Sequence, residues 1–480
     1  MWSDCNSRLK PLELLTSMSH IQEQDPNSPR LGLLAIFVAL FIIAIDITAF
    51  SPAIPAIERE MGMDITTSQW VINGYGLVFG VLVVTGGRIA DIFGRRRAFI
   101  TGAGIFLAFS LMGGLALNVP MLLAARAFMG VGAALMWPSI LGMAYSLMPE
   151  ERAGETGGLI MAVCGLANTL GPVMGGLLAD MFSWRWIFFI NLPVAFAAAL
   201  MCWKFVPRDV PFDPDERIDY LGVITLTASL LSFLLALNYA SGVGFMHPLV
   251  IGLLVGFLVF SAVFIYIESH QREVALIPED VIKNKRFSAA GAVTLFTSIT
   301  FFSVILYLPQ YLTNVRGFTT MQSGLTLVPL MIAFAVFSFI AGKLYQKTGG
   351  KILVCVGILA MSLGMFYISR LSDGREYIFG LIILGAGLGL FNPSTTTMVI
   401  AVVDPSRASL ASAIIYMLKI TGGAVGLGVN AAIVGFAPDI TTGISRAFEV
   451  NACFAFVGFV IAFLFMSAPT VTERERGSSE

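Results

Sequence analysis

Long apolar runs separated by short polar stretches make up most of the chain. Runs of about 20 apolar residues recur from end to end, each long enough to cross a ~30 Å hydrocarbon core as a helix. They begin near Leu31, Gln69, Ala98, Met121, Thr156, Trp184, Tyr220, Pro248, Phe287, Met321, Ile352, Tyr377, Ser409 and Glu449, about fourteen in all. The shorter, alternating strands of a membrane barrel would leave a different pattern. An all-α membrane protein is predicted.

Composition agrees: 57% of residues are hydrophobic, 12% are charged, and mean hydropathy is +0.84. Residues 1–30 are mixed and polar, with no small-residue cleavage site after the first apolar run, so they read as a tail rather than a cleaved leader. Of the 29 Lys and Arg, 21 fall in the tails and in loops on the side of the N-terminus. That bias predicts a multi-pass protein of the inner (plasma) membrane with both termini cytoplasmic. A net charge of −1 argues against nucleic acid as a partner. The five cysteines show no ligand spacing, so neither a metal site nor a disulfide framework is expected.

The two ends of the chain repeat each other at an offset of 255 residues. "GRIADIFGRR" from Gly87 aligns with "GKLYQKTGGK" from Gly342, pairing Gly87 with Gly342 and Gly94 with Gly349. "GVGAALMWP" (Gly130 to Pro138) aligns with "GAGLGLFNP" (Gly385 to Pro393), and Arg152-Ala153 falls on Arg407-Ala408. A parallel repeat of six spans marks a transporter built from two pseudo-symmetric bundles. The expected organisation is a tail (1–30), a six-helix bundle (31–206), an inserted two-helix hairpin with cytoplasmic linkers (207–286), a second six-helix bundle (287–468) and a tail (469–480). The chain is expected to work as a monomer in the lipid bilayer, with a small-molecule substrate.

Several stretches resemble the major facilitator superfamily. "GGRIADIFGRRR" (Gly86 to Arg97) is similar to its loop signature between the second and third helices. "ARAFMGVGAA" (Ala125 to Ala134) resembles its fourth-helix motif, and "LGPVMGG" (Leu170 to Gly176) its fifth-helix antiporter motif. "WRWIFFINLP" from Trp184, "LPQYLTNVRG" from Leu308 and "DITAFSPAIP" from Asp46 look like the fourteen-span drug:proton antiporters. Met129, Ser51, Pro52 and Ala167 depart from the usual residues at their places. The resemblance implies the major facilitator fold, proton-coupled multidrug efflux by alternating access, and no catalytic residues. It also implies that Asp91 acts in a cytoplasmic latch and that a cation at Lys419 is not peculiar to this chain.

Physical chemistry gives these motifs work to do. Asp91 sits at the C-terminal end of its helix, where the dipole disfavours a carboxylate, so it needs a loop Arg or a helix N-terminus in the other bundle. Gly87 and Gly94 permit close approach and a sharp turn, with Arg95 and Arg96 completing the gate motif. Gly171, Gly175 and Gly176 let two helix backbones touch, and Pro172 lets the helix bend. A purely topogenic or packing role is the alternative for both motifs.

Asp46 lies ~22 Å into the first span, where a carboxylate is expensive unless paired or used. Arg126 enters from the opposite side at a compatible depth. Movement of the cation relative to the carboxylate would switch proton binding, since burial raises an acid's pKa and a nearby cation lowers it. The competing reading is a pair that serves packing alone. The proton is the only coupling ion expected, with no cofactor.

The deep spans hold one carboxylate, Asp46, against two cations, Arg126 and Lys419. Lys419 either lines the cavity or snorkels to an interface. The excess of cations predicts neutral, weakly basic or anionic amphipathic substrates rather than dications. Cavity candidates are Asn73, Tyr75, Trp137, Asn168, Tyr307, Gln310, Tyr311, Asn392 and Lys419. Rival readings are a dedicated exporter of one metabolite or siderophore, and a non-transporting receptor or scaffold on the same fold. No nucleotide loop or nucleophile constellation points to an enzyme.

Overall fold

The computed structural model describes residues 28–63, 65–68, 70–207, 219–270, 281, 283–318, 320–370, 377–404 and 407–466. Most of both predicted tails and the linkers 208–218 and 271–280 beside the expected hairpin lie outside these residues.

Among them, 14 helices are long and apolar enough to cross a bilayer. They are α1 (Ser28–Ala49), α2 (Trp70–Phe93), α3 (Arg95–Gly114), α4 (Val119–Leu147), α5 (Ala153–Met181), α6 (Arg185–Phe205) and α7 (Tyr220–Val243). The others are α8 (Pro248–His270), α9 (Lys285–Asn314), α10 (Val328–Thr348), α11 (Gly350–Ser369), α12 (Tyr377–Ala401), α13 (Ala408–Gly435) and α14 (Ile440–Phe465).

Two helix starts differ from the hydropathy reading. α14 begins well before Glu449, because the Asp439 side chain caps it by accepting from the Thr442 amide at 2.8 Å. Its first turns therefore carry polar residues that read as a loop. Those hydrogen bonds to Thr442 hold the exposed Asp439 carboxyl below its ordinary range. The expected start at Met321 falls in a separate short helix, Thr320–Leu325, and α10 restarts at Val328 with Pro329 in its first turn. Proline cannot continue an i→i−4 ladder but fits a helix start.

The helices pack twice on one plan. In the first half α2 and α3 pack on α4, and α1 packs on α5 and α6. In the second half α10 and α11 pack on α12, and α9 packs on α13 and α14. Close contacts repeat at the same offset: a Cβ at Gly132 would lie 2.7 Å from the Gly102 carbonyl oxygen, and one at Gly387 2.5 Å from that of Gly357. With no hydrophobic drive between helices in lipid, such small-residue contacts hold the bundles together. Gly94 (φ +97°) and Gly349 (φ +76°) turn the two corresponding corners. The result is two six-helix bundles joined along two seams, α2–α13 and α5–α10.

The hairpin α7–α8 lies beside one seam. α7 packs on both α2 and α13, with the Trp70 and Tyr239 rings 6.1 Å apart, whereas α8 packs mainly on α7. Almost all of α8 remains outside the protein core, as suits a helix facing lipid.

Candidate functional site: a buried ion pair beneath a closed seam

Asp46 and Arg126 meet inside the first bundle. Arg126 Nη1 donates to Asp46 Oδ2 at 2.6 Å, and neither side chain has any exposed surface. Arg126 Nε donates to the Val71 carbonyl at 2.7 Å. Its guanidinium lies over the rings of Phe50 and Tyr75, 4.2 and 4.4 Å from their centroids. Aromatic faces stabilise a cation without supplying a second carboxylate. The other oxygen of Asp46 accepts from Asn191 Nδ2 at 3.0 Å, and that amide also reaches Ser110 Oγ at 3.3 Å. Ser110 in turn donates to the Phe188 carbonyl at 2.9 Å. Four helices, α1, α3, α4 and α6, thus converge on one carboxylate.

This pair is charge-balanced but not saturated. Arg126 Nη2 and Tyr75 Oη are buried with no hydrogen-bond partner among the described residues. Without Asp46 the guanidinium would be left on one carbonyl and two rings, and leaving a buried charge unpaired is costly, so each member of the pair holds the other in place.

The glycine-rich motif of α5 is the wall beside this pair. A Cβ at Gly175 would lie 1.8 Å from the Ala49 carbonyl oxygen, so only glycine fits there. Gly171 faces Thr48 as closely, while Gly176 looks onto Pro52 with room to spare. A small crevice between α1, α5 and α6, lined by Asp46, Met174, Gly175, Leu178 and Asn191, reaches the carboxylate from this side. Pro172 lies inside α5 without interrupting it.

Asp91 crosses the α2–α13 seam. Its Oδ1 accepts from Arg95 Nε at 3.2 Å, and its Oδ2 accepts from the Leu410 amide in the first turn of α13 at 2.9 Å. The N-terminus of α13 therefore supplies what the C-terminus of α2 denies this carboxylate. Arg95 Nη1 also reaches the Gly142 carbonyl at 3.3 Å. Arg96 turns away, donating to the Val206 carbonyl at 2.9 Å and to that of Trp203, and ties α3 to α6. Gly87 is pressed against α13 at Ala413 and Ser409.

Between these two centres an aromatic cluster spans the seam. Tyr416 of α13 lies 4.7 Å from the Trp137 ring of α4 and 5.0 Å from Phe79 of α2. On the neighbouring contact, Tyr145 of α4 and Thr397 of α12 share a hydrogen bond of 3.0 Å. The seam is shut at the end that bears the α2–α3 corner.

Other sequence candidates are scattered around this arrangement. Asn392 of α12 accepts from Lys419 Nζ at 3.4 Å, and Phe301 lies under the ammonium at 5.6 Å. Tyr307 donates to the Leu427 carbonyl at 3.4 Å within the second bundle. Tyr311 accepts from Arg316 Nε at 3.2 Å, towards the C-terminal end of α9, and Gln310 beside it is exposed. Asn73 and Asn168 are half-buried. Tyr416, Asn191 and Ser110 were not singled out from sequence. Asn191 carried a signal nonetheless: "FFINLPVAF" from Phe188 matches "FEVNACFAF" from Phe448, pairing Asn191 with Asn451, at an offset of 260 rather than 255.

At the opposite end of the first bundle, Glu60 takes a hydrogen bond from Trp184 Nε1 at 2.7 Å and pairs with Arg185. Burial opposes ionisation of Glu60, but these hydrogen bonds and the charge of Arg185 outweigh it and hold its carboxyl below the usual range. Among the described residues no cluster of His, Cys, Asp or Glu is placed to hold a metal ion, and the described cysteines are free.

Two six-helix bundles packed on one plan, with an intramembrane ion pair in one of them, are the architecture of a membrane transporter. The chain belongs to the Major Facilitator Superfamily, whose family model matches residues 36–427 and, in a second match, 290–480. It is 32% identical over 483 residues to the puromycin resistance protein pur8 of Streptomyces alboniger, covering 95% of both chains. It is 25% identical to the methylenomycin A resistance protein of Bacillus subtilis, over 93% of this chain and 97% of that one. The multidrug transporter protein MdtP of Bacillus subtilis is 28% identical over 79% of this chain and 70% of its own. In fold, it is similar to the human organic anion transporter MFSD10 (TM-score 0.68, 15% identity, 92% of this chain and all of that one). The chain is thus a membrane transporter related to bacterial drug-resistance proteins, not an enzyme.

Proposed function

We propose that the protein is a proton-coupled antiporter that exports small amphipathic compounds by alternating access across the inner membrane. The observation that carries this reading is the buried Asp46–Arg126 pair, a carboxylate whose charge is balanced by one cation held on a carbonyl and two rings. Such a pair binds or releases a proton when the cation shifts, and the bundle seams are where that shift is converted into rocking. With the N-terminus cytoplasmic, the Asp91–Leu410 contact closes the cytoplasmic side, so the described conformation is closed inward. The protein works as a monomer in this scheme, with the proton as its only coupling ion.

A second reading narrows the cargo to one compound. The two relatives compared above that match this chain along nearly their whole length are each named for resistance to a single antibiotic. Both readings are tested in inside-out vesicles energised to an acid interior and followed with a pH-sensitive dye. Puromycin, methylenomycin A and a panel of neutral, cationic and anionic amphiphiles are added in turn. Proton release with wild type and none with Asp46→Asn is expected. Response to a single compound would favour the narrow exporter, and equal release by both proteins would remove Asp46 from coupling.

A further inference from the structure

Lys419 is a deep cation with no counter-ion among the described residues. It lies midway along α13, half-buried, and forms no ion pair among the described residues. Its ammonium has three protons to donate, and its one hydrogen-bond acceptor there is Asn392 Oδ1 at 3.4 Å. The only deep carboxylate of the described spans, Asp46, is committed to Arg126 and Asn191.

The surroundings are aromatic. Phe301 of α9 lies 5.6 Å from the ammonium. One turn before Lys419 on α13, Tyr416 meets Trp137 of α4 at 4.7 Å. The indole Nε1 of Trp137 is itself buried with no hydrogen-bond partner among the described residues. Trp137 of the first bundle is thus linked to the Lys419 helix of the second through the Tyr416 ring, one turn from the cation. An ammonium this deep in the membrane with no anion beside it is expensive, and few features of the fold would repay that cost except a ligand that brings the anion.

We propose that Lys419, with Asn392 beside it, is the anchor for an anionic group on the transported compound, and that the cargo includes amphipathic monoanions with a flat aromatic body. The anionic oxygens receive the Lys419 donors, and the Trp137 Nε1–H is a further donor within the same region. The aromatic body packs on Phe301, Tyr416 and Trp137. This deepens the transport reading and rests on it for the direction of movement, while binding itself is independent of proton coupling.

The test is calorimetric titration of the purified full chain in detergent at pH 7. The probes are naphthalene-2-sulfonate and its neutral twin, naphthalene-2-sulfonamide. Wild type is expected to bind the sulfonate about tenfold or more tightly than the sulfonamide. Lys419→Gln should erase that preference while still binding the sulfonamide, and Lys419→Arg should keep it. Equal affinity for the two probes in wild type, binding of neither, or a preference that survives Lys419→Gln would each overturn the proposal. A wild type that prefers the sulfonate yet moves no protons in vesicles would remove antiport and leave this site standing.

Discussion

The two bundles share one plan and differ in charge. In the first, the α1–α6 contact is built on Asp46, Asn191 and Arg126. In the second, the corresponding α9–α14 contact is built on neutral groups, with Asn451 and Asn430 both donating to Ser303 Oγ at 2.7 Å. The corner motifs differ in the same sense. Asp91 reaches the first turn of α13, whereas Gln346, its partner at the repeat offset, donates to the Glu151 carbonyl just before α5. One backbone design therefore carries an ion pair at this contact in one half and neutral hydrogen-bonding groups in the other. A buried amide–hydroxyl contact can hold helices together, but only an ionisable pair changes charge.

Arg126→Leu should break this contrast most severely. It strands a fully buried carboxylate, and removal of one partner of such a pair costs about 3–5 kcal/mol. Thermal unfolding in detergent is expected to fall well below wild type, with proton-coupled transport lost. Recovery of stability by adding Asp46→Asn would locate the damage in the unpaired charge.

Gly175→Ala comes next. Its methyl would strike the Ala49 carbonyl beside Asp46, and overpacking of this kind costs about 1–3 kcal/mol. Gly176→Ala in the same motif meets nothing closer than 3.8 Å and should leave both stability and transport near wild type. Equal effects of the two would mean that the motif acts through something other than the α1–α5 contact.

Asp91→Ala removes the carboxylate from the α13 N-terminus. In a variant keeping Cys164 as its only cysteine, this buried thiol at the seam should react with a maleimide several-fold faster than in the parent, as the closed state loses population. Unchanged labelling would deny Asp91 a part in closing the seam. The neutral α9–α14 contact gives a change in stability alone. Ser303→Ala leaves two buried amides without their acceptor, at about 1–3 kcal/mol, and should lower the unfolding temperature without changing proton release.

Much of this was legible in the sequence because membrane helices are long and the repeat keeps its spacing. The spans, the 255-residue offset and the depth match of Asp46 with Arg126 all come from apolar length and residue counting. The need of Asp91 for a partner, a loop Arg or a helix N-terminus, followed from the dipole alone, and Asp91 meets both. What escaped depends on side-chain direction. Nothing in a run of apolar residues says that Tyr416 rather than a neighbouring Phe closes the seam, or that Tyr75 is occupied by stacking on Arg126. Asn191 was hidden by a shift of the repeat register between α6 and α14. The start of α14 was hidden because a capped, polar first turn has the composition of a loop.

The central claim is that Asp46 is the group whose proton is exchanged for cargo. It is tested most directly by measuring protons released when a transported compound binds to purified protein in weakly buffered detergent solution. The account predicts that wild type releases protons on binding and that Asp46→Asn binds the same compound with none released. Release from Asp46→Asn equal to that of wild type would contradict it and return the buried pair to a purely structural role.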